Sequence, residues 1–298
     1  MPDYYLSAQA VPNDPQYLEQ WGPPQVGAPE AWDISTGSSA TGAANGPITV
    51  CVIDSGIDPT HPDLAANLHH DIGYNAWDPT QPLNDTSGHG THISGIIAAV
   101  GNNGLGVTGL SWGGDIKVLA CAFLEPGGYG LTSVAVVCFN YCIRWAAPPC
   151  ISCCRYSCDC HCACGRLTAP SLPHDHVPSC CCSKGAQIIS ASWSDGDVEN
   201  PPLKEAIQAA GNAGALVVVA AGNQGYNLSV TPSYPAVYSQ TMGFVLTVGA
   251  SDENNSWLGF SNYDATAGEQ GRGWARVLAV RCHLLLLLSS LLLCLFGW

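Results

Sequence analysis

Charged residues are scarce in this chain of 298 residues, at 11%, against about a quarter in typical soluble proteins. Lysine and arginine total 9 and aspartate and glutamate 23, which gives a net charge of −14. With so few positive charges, electrostatic binding to nucleic acid or to an anionic membrane is not expected. Apolar residues make up 47%, which excludes disorder driven by high charge, and we expect a globular monomer.

The sequence also lacks a conventional membrane span and a signal peptide. The Leu-rich run from Leu284 to Phe296 would reach about 20 Å as a helix, against about 30 Å of hydrocarbon. Membrane insertion is therefore not expected, although a tail anchor, a buried or aggregating segment and misread coding sequence stay open as interpretations. Met1 to Val11 has neither a basic start nor a long apolar stretch, so we expect an intracellular protein or a true N-terminus further upstream.

Short apolar runs alternate with amphipathic patterns along most of the chain. The runs are rich in β-branched residues and cover 48–54, 116–121, 186–191, 216–221 and 245–249. Helical periodicity of 3.6 residues covers 93–100, 133–145 and 203–210, with Asn200 as a cap and Pro201 at the first helical position of the last. The pattern predicts an α/β fold: a doubly wound, mainly parallel sheet with helices on both faces and a site at the carboxyl ends of its strands.

Two polar residues stand where such a site is expected. Asp54 ends the first strand in Val52-Ile-Asp-Ser-Gly-Ile-Asp58, and His89 opens a helix in Gly88-His-Gly-Thr-His-Ile-Ser-Gly95. In acyl-transfer catalysis, a carboxylate orients an imidazole that removes the proton of a nucleophile. Taken singly, Asp54 is also typical of a turn or helix cap, and His89 of a structural histidine.

A third polar residue follows another predicted strand. Ala220-Ala-Gly-Asn223 leads a buried run directly into an amide side chain. An amide in that place can donate a hydrogen bond to a developing oxyanion, although Asn223 alone is equally typical of a turn.

Taken together, these motifs resemble those of the subtilisin-like serine proteases. Asp54, His89 and Asn223 match the family's aspartate, histidine and oxyanion asparagine, in the family's own order. The resemblance covers about 13–143 and 185–263, and it implies an endopeptidase that acts on extended polypeptides. It also implies that His92, the second histidine of its motif, is structural, and that the protein is secreted or vacuolar.

The resemblance extends to substrate and calcium sites. Ser192, Trp193 and Ser194 correspond to the edge strand that pairs with substrate, while Gly128 and Gly130 correspond to the opposite wall of the cleft. Asp63 matches a family calcium ligand, with Asn102 in the Gly-rich loop at 101–106 as its partner. A solvated aspartate and an ordinary Gly-rich loop are the alternatives for this pair.

One essential motif of the family is missing from the sequence. The family's nucleophile lies in a Gly-Thr-Ser turn, and no Gly-Thr-Ser occurs here. Ser289 and Ser290 lie at about the expected distance from Asn223 but lack the glycine turn, so we interpret that spacing as coincidence. We therefore predict a truncated domain that is inactive as written, with a non-catalytic peptide-binding protein as the alternative.

Two segments depart from the family pattern. The domain predicted at 13–264 follows a prosegment remnant at 1–12, is interrupted at 144–184 and is followed by a Leu-rich tail at 265–298. Of the 16 cysteines, 10 lie between Cys150 and Cys182. They suit a metal–thiolate cluster, a disulfide-laced insertion or translated non-coding sequence, and only the last also explains the simultaneous change in charge, composition and loop length. A membrane-tethered metal–thiolate protein is the third functional class considered.

Overall fold

The computed structural model describes residues 10–37, 47–144, 185–194 and 196–265. The predictions for 1–9, for 145–184 and for 266–298 lie outside these residues. Within them, no helix is both long and apolar enough to cross a bilayer. The strands are β1 (Ile48–Asp54), β2 (Leu68–Asn75), β3 (Ile116–Ala122), β4 (Ile188–Ala191), β5 (Leu216–Ala220) and β6 (Val245–Val248). The helices are α1 (Gly22–Gln25), α2 (Ala28–Trp32), α3 (His89–Ala98), α4 (Thr132–Arg144) and α5 (Pro201–Asn212).

The described strands form one parallel sheet in the order β2-β3-β1-β4-β5-β6. β1 pairs with β3 along its whole length, from Ile48 opposite Ile116 to Asp54 opposite Ala122, and with β4 on its other side. The winding therefore reverses at β1. Doubly wound sheets place their sites beside such a reversal, at the carboxyl ends of the strands.

Helices cover both faces of this sheet, as predicted. Alternate residues of β1 point to opposite faces. Val50 and Val52 belong to the core that contains Ile93 and Ile97 of α3. Ile53, on the other face, belongs to the core that α4 and α5 complete. The sheet is thus buried on both sides, which is why its strands are continuous apolar runs.

The last long helix begins where the sequence indicates. The side chain of Asn200 accepts a hydrogen bond of 3.1 Å from the backbone N of Leu203, and a proline occupies the first turn. Leu203, Ala206, Ile207 and Ala210 are its buried residues. The cap satisfies one of the free N–H groups of the first turn.

Two disulfides join α4 to the centre of the sheet. Cys51 of β1 is bonded to Cys142, and Cys121 of β3 to Cys138. Cys138 and Cys142 are four residues apart and hence on one face of α4. All four are completely buried. These bonds fix the helix beneath the strand that ends at Asp54.

Candidate active site

Asp54 and His89 are in direct contact at the carboxyl end of β1. The Asp54 side chain is buried, and its Oδ1 lies 2.7 Å from Nδ1 of His89 and 2.7 Å from the backbone N of Ser55. A carboxylate only accepts, so Nδ1 carries the hydrogen in this contact and Nε2 is left to exchange a proton. The His89 side chain remains 45% exposed. The predicted pairing of aspartate and imidazole is therefore present.

Close packing of α3 on the end of β1 brings the two side chains together. Gly90, in the first turn of α3, lies so near Gly56 that an added Cβ would collide with the Gly56 carbonyl oxygen. The same Cβ would be 3.2 Å from Cβ of Asp54. Gly88 precedes the helix with φ +84°, a conformation that other residues rarely adopt. These glycines explain why the motif around His89 needs small residues.

Asp85 organises the turn that leads into α3, and the sequence interpretation missed it. Its carboxylate accepts hydrogen bonds from the hydroxyl groups of Ser55 and Thr91, at 2.9 and 2.6 Å, and from the backbone N of Gly88 and Thr91, both at 2.8 Å. Burial raises the pKa of Asp85, but these bonds, those of Thr91 foremost, outweigh it and hold the pKa below its ordinary value. The sequence signal was an acidic residue directly before Thr86-Ser87-Gly88.

The environment of His89 favours the protonated ring. The hydrogen bond to Asp54 raises the pKa of His89; burial opposes this, and the charges of Asp54 and Asp85 add to the increase. A histidine whose folded pKa exceeds its unfolded value stabilises the fold fully below the unfolded pKa, and that contribution is lost as pH rises through the folded pKa. The pair therefore contributes most on the acidic side of neutrality.

Replacing Asp54 by asparagine should lower the pKa of His89 to its ordinary value or below it. The substitution removes the acceptor charge, whereas the burial that lowers the pKa remains. NMR titration of the histidine rings measures this change. The pKa of His69, set by burial and by His70 on β2, should not move. An unchanged His89 pKa in the variant would contradict the assigned contact.

Asn223 follows β5 at the same edge of the sheet. β5 is two strands from β1, or about 10 Å at the usual strand spacing. Asn223 is exposed, and the preceding Gly222 has φ +101°. Asn223 therefore lies at the carboxyl edge of the sheet, as predicted. It comes directly after Gly222, whose backbone has a positive φ.

Buried Asn262 holds the turn that carries Asn223, and sequence reasoning gave it no role. Its Oδ1 accepts hydrogen bonds from the backbone N of Gln224 and Tyr226, at 3.1 and 2.8 Å, and its Nδ2 donates to the Ala221 carbonyl at 2.9 Å. The backbone on both sides of Asn223 is therefore fixed by one side chain. Its place in Phe260-Ser-Asn-Tyr263 was the available signal.

The segment from Ser192 to Ser194 follows β4, and its three side chains differ in their contacts and exposure. The Trp193 indole donates to the carbonyl of Ile53 at 2.9 Å and packs on Phe123, with ring centroids 4.8 Å apart. Ser192 is half-buried and Ser194 exposed. Trp193 therefore ties this segment to the residue before Asp54.

Gly128 and Gly130 belong to a small hairpin after β3. Gly130 forms an antiparallel bridge with Leu124, and Gly128, with φ +77°, closes the turn by donating to the Glu125 carbonyl at 2.8 Å. Leu124 is joined to the end of β1 by a backbone hydrogen bond of 3.3 Å to the Asp54 carbonyl. The hairpin is thus attached directly to the Asp54 strand end.

Asp63 lies in a second cluster, away from His89, together with buried Asp14. Asp63 accepts hydrogen bonds from Asn103 Nδ2 at 2.7 Å and from the backbone N of Val107 at 3.0 Å. Asn102 reaches Asp14 through its backbone N at 2.7 Å. Asn103 of the predicted loop, and not Asn102, is thus the side chain that contacts Asp63, and Asp14 was not predicted.

Comparison with known proteins places the chain in a family. Residues 46–280 match the model of the peptidase S8, or subtilase, family. The α/β sheet and the Asp54–His89 pair agree with that match, and the chain belongs to the subtilase family. It is therefore related to the subtilisin-like serine proteases.

Individual relatives support the same assignment. Thermitase of Thermoactinomyces vulgaris is 32% identical over 255 residues, which are 85% of this chain and 70% of thermitase. A thermophilic serine proteinase of Bacillus sp. strain AK1 is 32% identical over 266 residues, and the match spans 88% of this chain but 51% of that protein. A solved protease structure from Pseudoalteromonas arctica has a TM-score of 0.60 and 25% identity, covering 86% of this chain and 70% of that one.

Proposed function

We propose that this chain is a subtilisin-like serine endopeptidase domain whose cleft binds an extended polypeptide. In this proposal Asp54 orients His89, His89 is general base and then general acid, and Asn223 donates to the oxyanion. The observation that carries the proposal is the contact of 2.7 Å between Asp54 Oδ1 and His89 Nδ1. That contact engages Nδ1, so Nε2 is the nitrogen of the partly exposed ring that a hydroxyl would have to approach.

In this proposal the active site lacks its nucleophile. No Gly-Thr-Ser turn occurs in the sequence, and Ser289 and Ser290 lie outside the described residues. Without an activated hydroxyl, His89 has no proton to remove, and the rate should fall close to what the oxyanion donors and substrate binding alone supply. We therefore infer that this sequence hydrolyses peptides at close to the background rate.

A fluorophosphonate probe tests the missing nucleophile. We expect no stoichiometric labelling of the purified chain, measured by intact mass, because the probe needs a serine activated by the imidazole. The matched variant is His89→Ala, in which any nonspecific labelling should persist unchanged. Stoichiometric labelling that disappears in His89→Ala would show an activated serine and overturn the inferred defect.

A non-catalytic peptide binder is the second candidate, favoured by exposed apolar side chains beside the cleft. Tyr129, at the tip of the hairpin, is 80% exposed, and Leu131 follows it at 57%. An apolar fluorescein-labelled heptapeptide should bind, and Tyr129→Ala should weaken its binding measured by fluorescence anisotropy. Leu18→Ala is the control, since Leu18 is an apolar residue of the N-terminal segment that is 91% exposed. Equal binding by both variants would remove the argument for this candidate.

We also propose a structural calcium ion at Asp14 and Asp63. The fit rests on two carboxylates that are both 4% exposed and on the Asn103 side-chain amide, which contacts Asp63 through Nδ2 and would turn its oxygen to the ion, because calcium prefers carboxylate and amide oxygens. When bound, the ion would neutralise the two carboxylates and hold the 101–106 loop, with no part in the reaction.

Calcium removal tests this site. EGTA should lower the melting temperature of the wild-type chain, because calcium binding to the folded state stabilises it. Asp14→Asn should reduce that difference, whereas Glu19→Gln, at an exposed glutamate of the same segment, should keep it. A melting temperature that does not respond to EGTA would contradict the proposal.

A further inference from the structure

Three consecutive residues of β2 bring metal-binding atoms together at the edge of the sheet. One donor atom each from His69, His70 and Asp71 lies within 4.8 Å of the other two. Consecutive residues of a regular strand point to opposite faces, so such a cluster is not expected there. Here the register between β2 and β3 shifts between Leu68 and Gly73, and Ile72 has φ +58°. The irregular backbone allows neighbouring side chains to converge.

The separations of the donor atoms suit a small divalent ion. Asp71 Oδ2 is 3.0 Å from His70 Nε2 and 3.7 Å from His69 Nδ1. Two ligands of a tetrahedral zinc ion, each about 2.0 Å from the metal, are about 3.3 Å from one another. The two measured separations lie on either side of that value, with Asp71 Oδ2 as the shared neighbour. Small side-chain rotations would bring all three atoms onto one ion.

One imidazole nitrogen of the cluster carries no hydrogen. His69 Nδ1 accepts a hydrogen bond of 3.3 Å from the backbone N of Asp71, and an acceptor nitrogen has a lone pair that a metal can take. Binding of a metal through Nδ1 would replace this long hydrogen bond.

One oxygen of the Asp71 carboxylate is available as a metal ligand. Asp71 Oδ2 is buried and accepts no hydrogen bond from any group in the described part of the chain, its close contacts being the two imidazoles.

We propose that His69, His70 and Asp71 bind one divalent transition-metal ion of the zinc type. Two imidazoles and one carboxylate are ligands that zinc, nickel and copper accept and that calcium and magnesium bind poorly. His70 is 54% exposed on its side chain, which gives the ion access from solvent and leaves a fourth position for water. The site lies on the edge strand β2, two strands from β1, and does not depend on the proposed peptidase activity.

Zinc titration of the full chain tests the site. The thiols are first alkylated with iodoacetamide under native conditions, because the cysteines between Cys150 and Cys182 would otherwise compete for zinc. Isothermal titration should then show one zinc ion bound by the wild-type chain, with an affinity that falls about tenfold or more in His70→Gln. His61→Gln is the control: it removes a histidine outside the cluster and should bind as the wild type does.

Two further measurements separate ligand loss from unfolding. Circular dichroism should show the same secondary structure in His70→Gln, since this side chain is largely in solvent. Diethylpyrocarbonate modification, located by peptide mass, should be slower at His70 when zinc is present and unchanged at His61. Equal zinc affinity in wild type and His70→Gln, no zinc binding by the wild type, or equal modification of His70 with and without zinc would overturn the proposal.

Discussion

Gly90→Ala should destabilise the fold by about 3 kcal/mol, the upper end of the usual cost of overpacking, and separate Asp54 from His89. The added methyl group would overlap the carbonyl oxygen of Gly56 and lie 3.1 Å from its nitrogen, both backbone atoms that cannot rotate away. The first turn of α3 must therefore move outwards, which also stretches the bond of 2.9 Å from the Gly90 N to the Ser55 hydroxyl.

The matched control is a second glycine of the same helix. Gly95 has no atom within 4 Å of an added Cβ, so Gly95→Ala should stabilise α3 by about 0.5–1 kcal/mol through helix propensity. Urea unfolding measures both free energies, and NMR titration of His89 measures whether the contact with Asp54 survives. Similar stabilities for the two variants, or a raised His89 pKa retained in Gly90→Ala, would refute the packing argument.

Much of the fold was predictable because most of its strands are buried on both faces. The runs at 48–54 and 216–221 coincide with β1 and β5 to within a residue, as central strands with continuous apolar sequence should. β2 was missed for a physical reason. It lies at the edge of the sheet with one neighbour, it contains the polar residues 69–71, and its bulge removes the alternation that identifies a half-buried strand.

The catalytic residues were predictable where a residue type and its place in an element together imply the chemistry. Asp54 ends β1 and His89 begins α3, and each carries a group with a known role in acyl transfer. Asp85 and Asn262 were not predictable in this way, because their function is to accept or donate several hydrogen bonds to loop backbone. Such bonds depend on where the loops meet in space, so the local signals at Asp85 and Asn262 do not by themselves identify the partners of these side chains.

The segment at 192–194 shows the same limit of local sequence for a core contact. Ser192, Trp193 and Ser194 were predicted to pair with substrate as an edge strand, whereas the role of the Trp193 side chain, which packs against the core and donates to the Ile53 carbonyl, was not predicted. A tryptophan between two serines looks exposed in the sequence, since the segment has no long apolar run. Phe123 and Phe139 pack against the indole, with ring centroids 4.8 and 6.4 Å away. The Trp193 side chain therefore joins this segment to the core.

Removing the disulfide between Cys51 and Cys142 should have the largest effect on stability of any change outside the active site. The bond closes a loop with a sequence separation of 91, whereas Cys121–Cys138 closes one of 17. Because the entropy removed from the unfolded chain grows with loop length, the Cys51→Ala/Cys142→Ala double variant should lose about 4.5 kcal/mol and the Cys121→Ala/Cys138→Ala double variant about 3 kcal/mol.

Each double variant is the control for the other, since both remove two buried sulfur atoms from the same helix–sheet interface. Urea unfolding with iodoacetamide present keeps the remaining thiols from exchanging, and peptide mapping without reduction identifies the surviving bond. The Cys51–Cys142 disulfide holds α4 to β1 three residues before Asp54. Removing it should therefore broaden the NMR signal of the His89 ring more than removing Cys121–Cys138 does. Equal destabilisation of the two variants, or a free Cys51 thiol in the folded wild type, would refute this assignment of the cross-link.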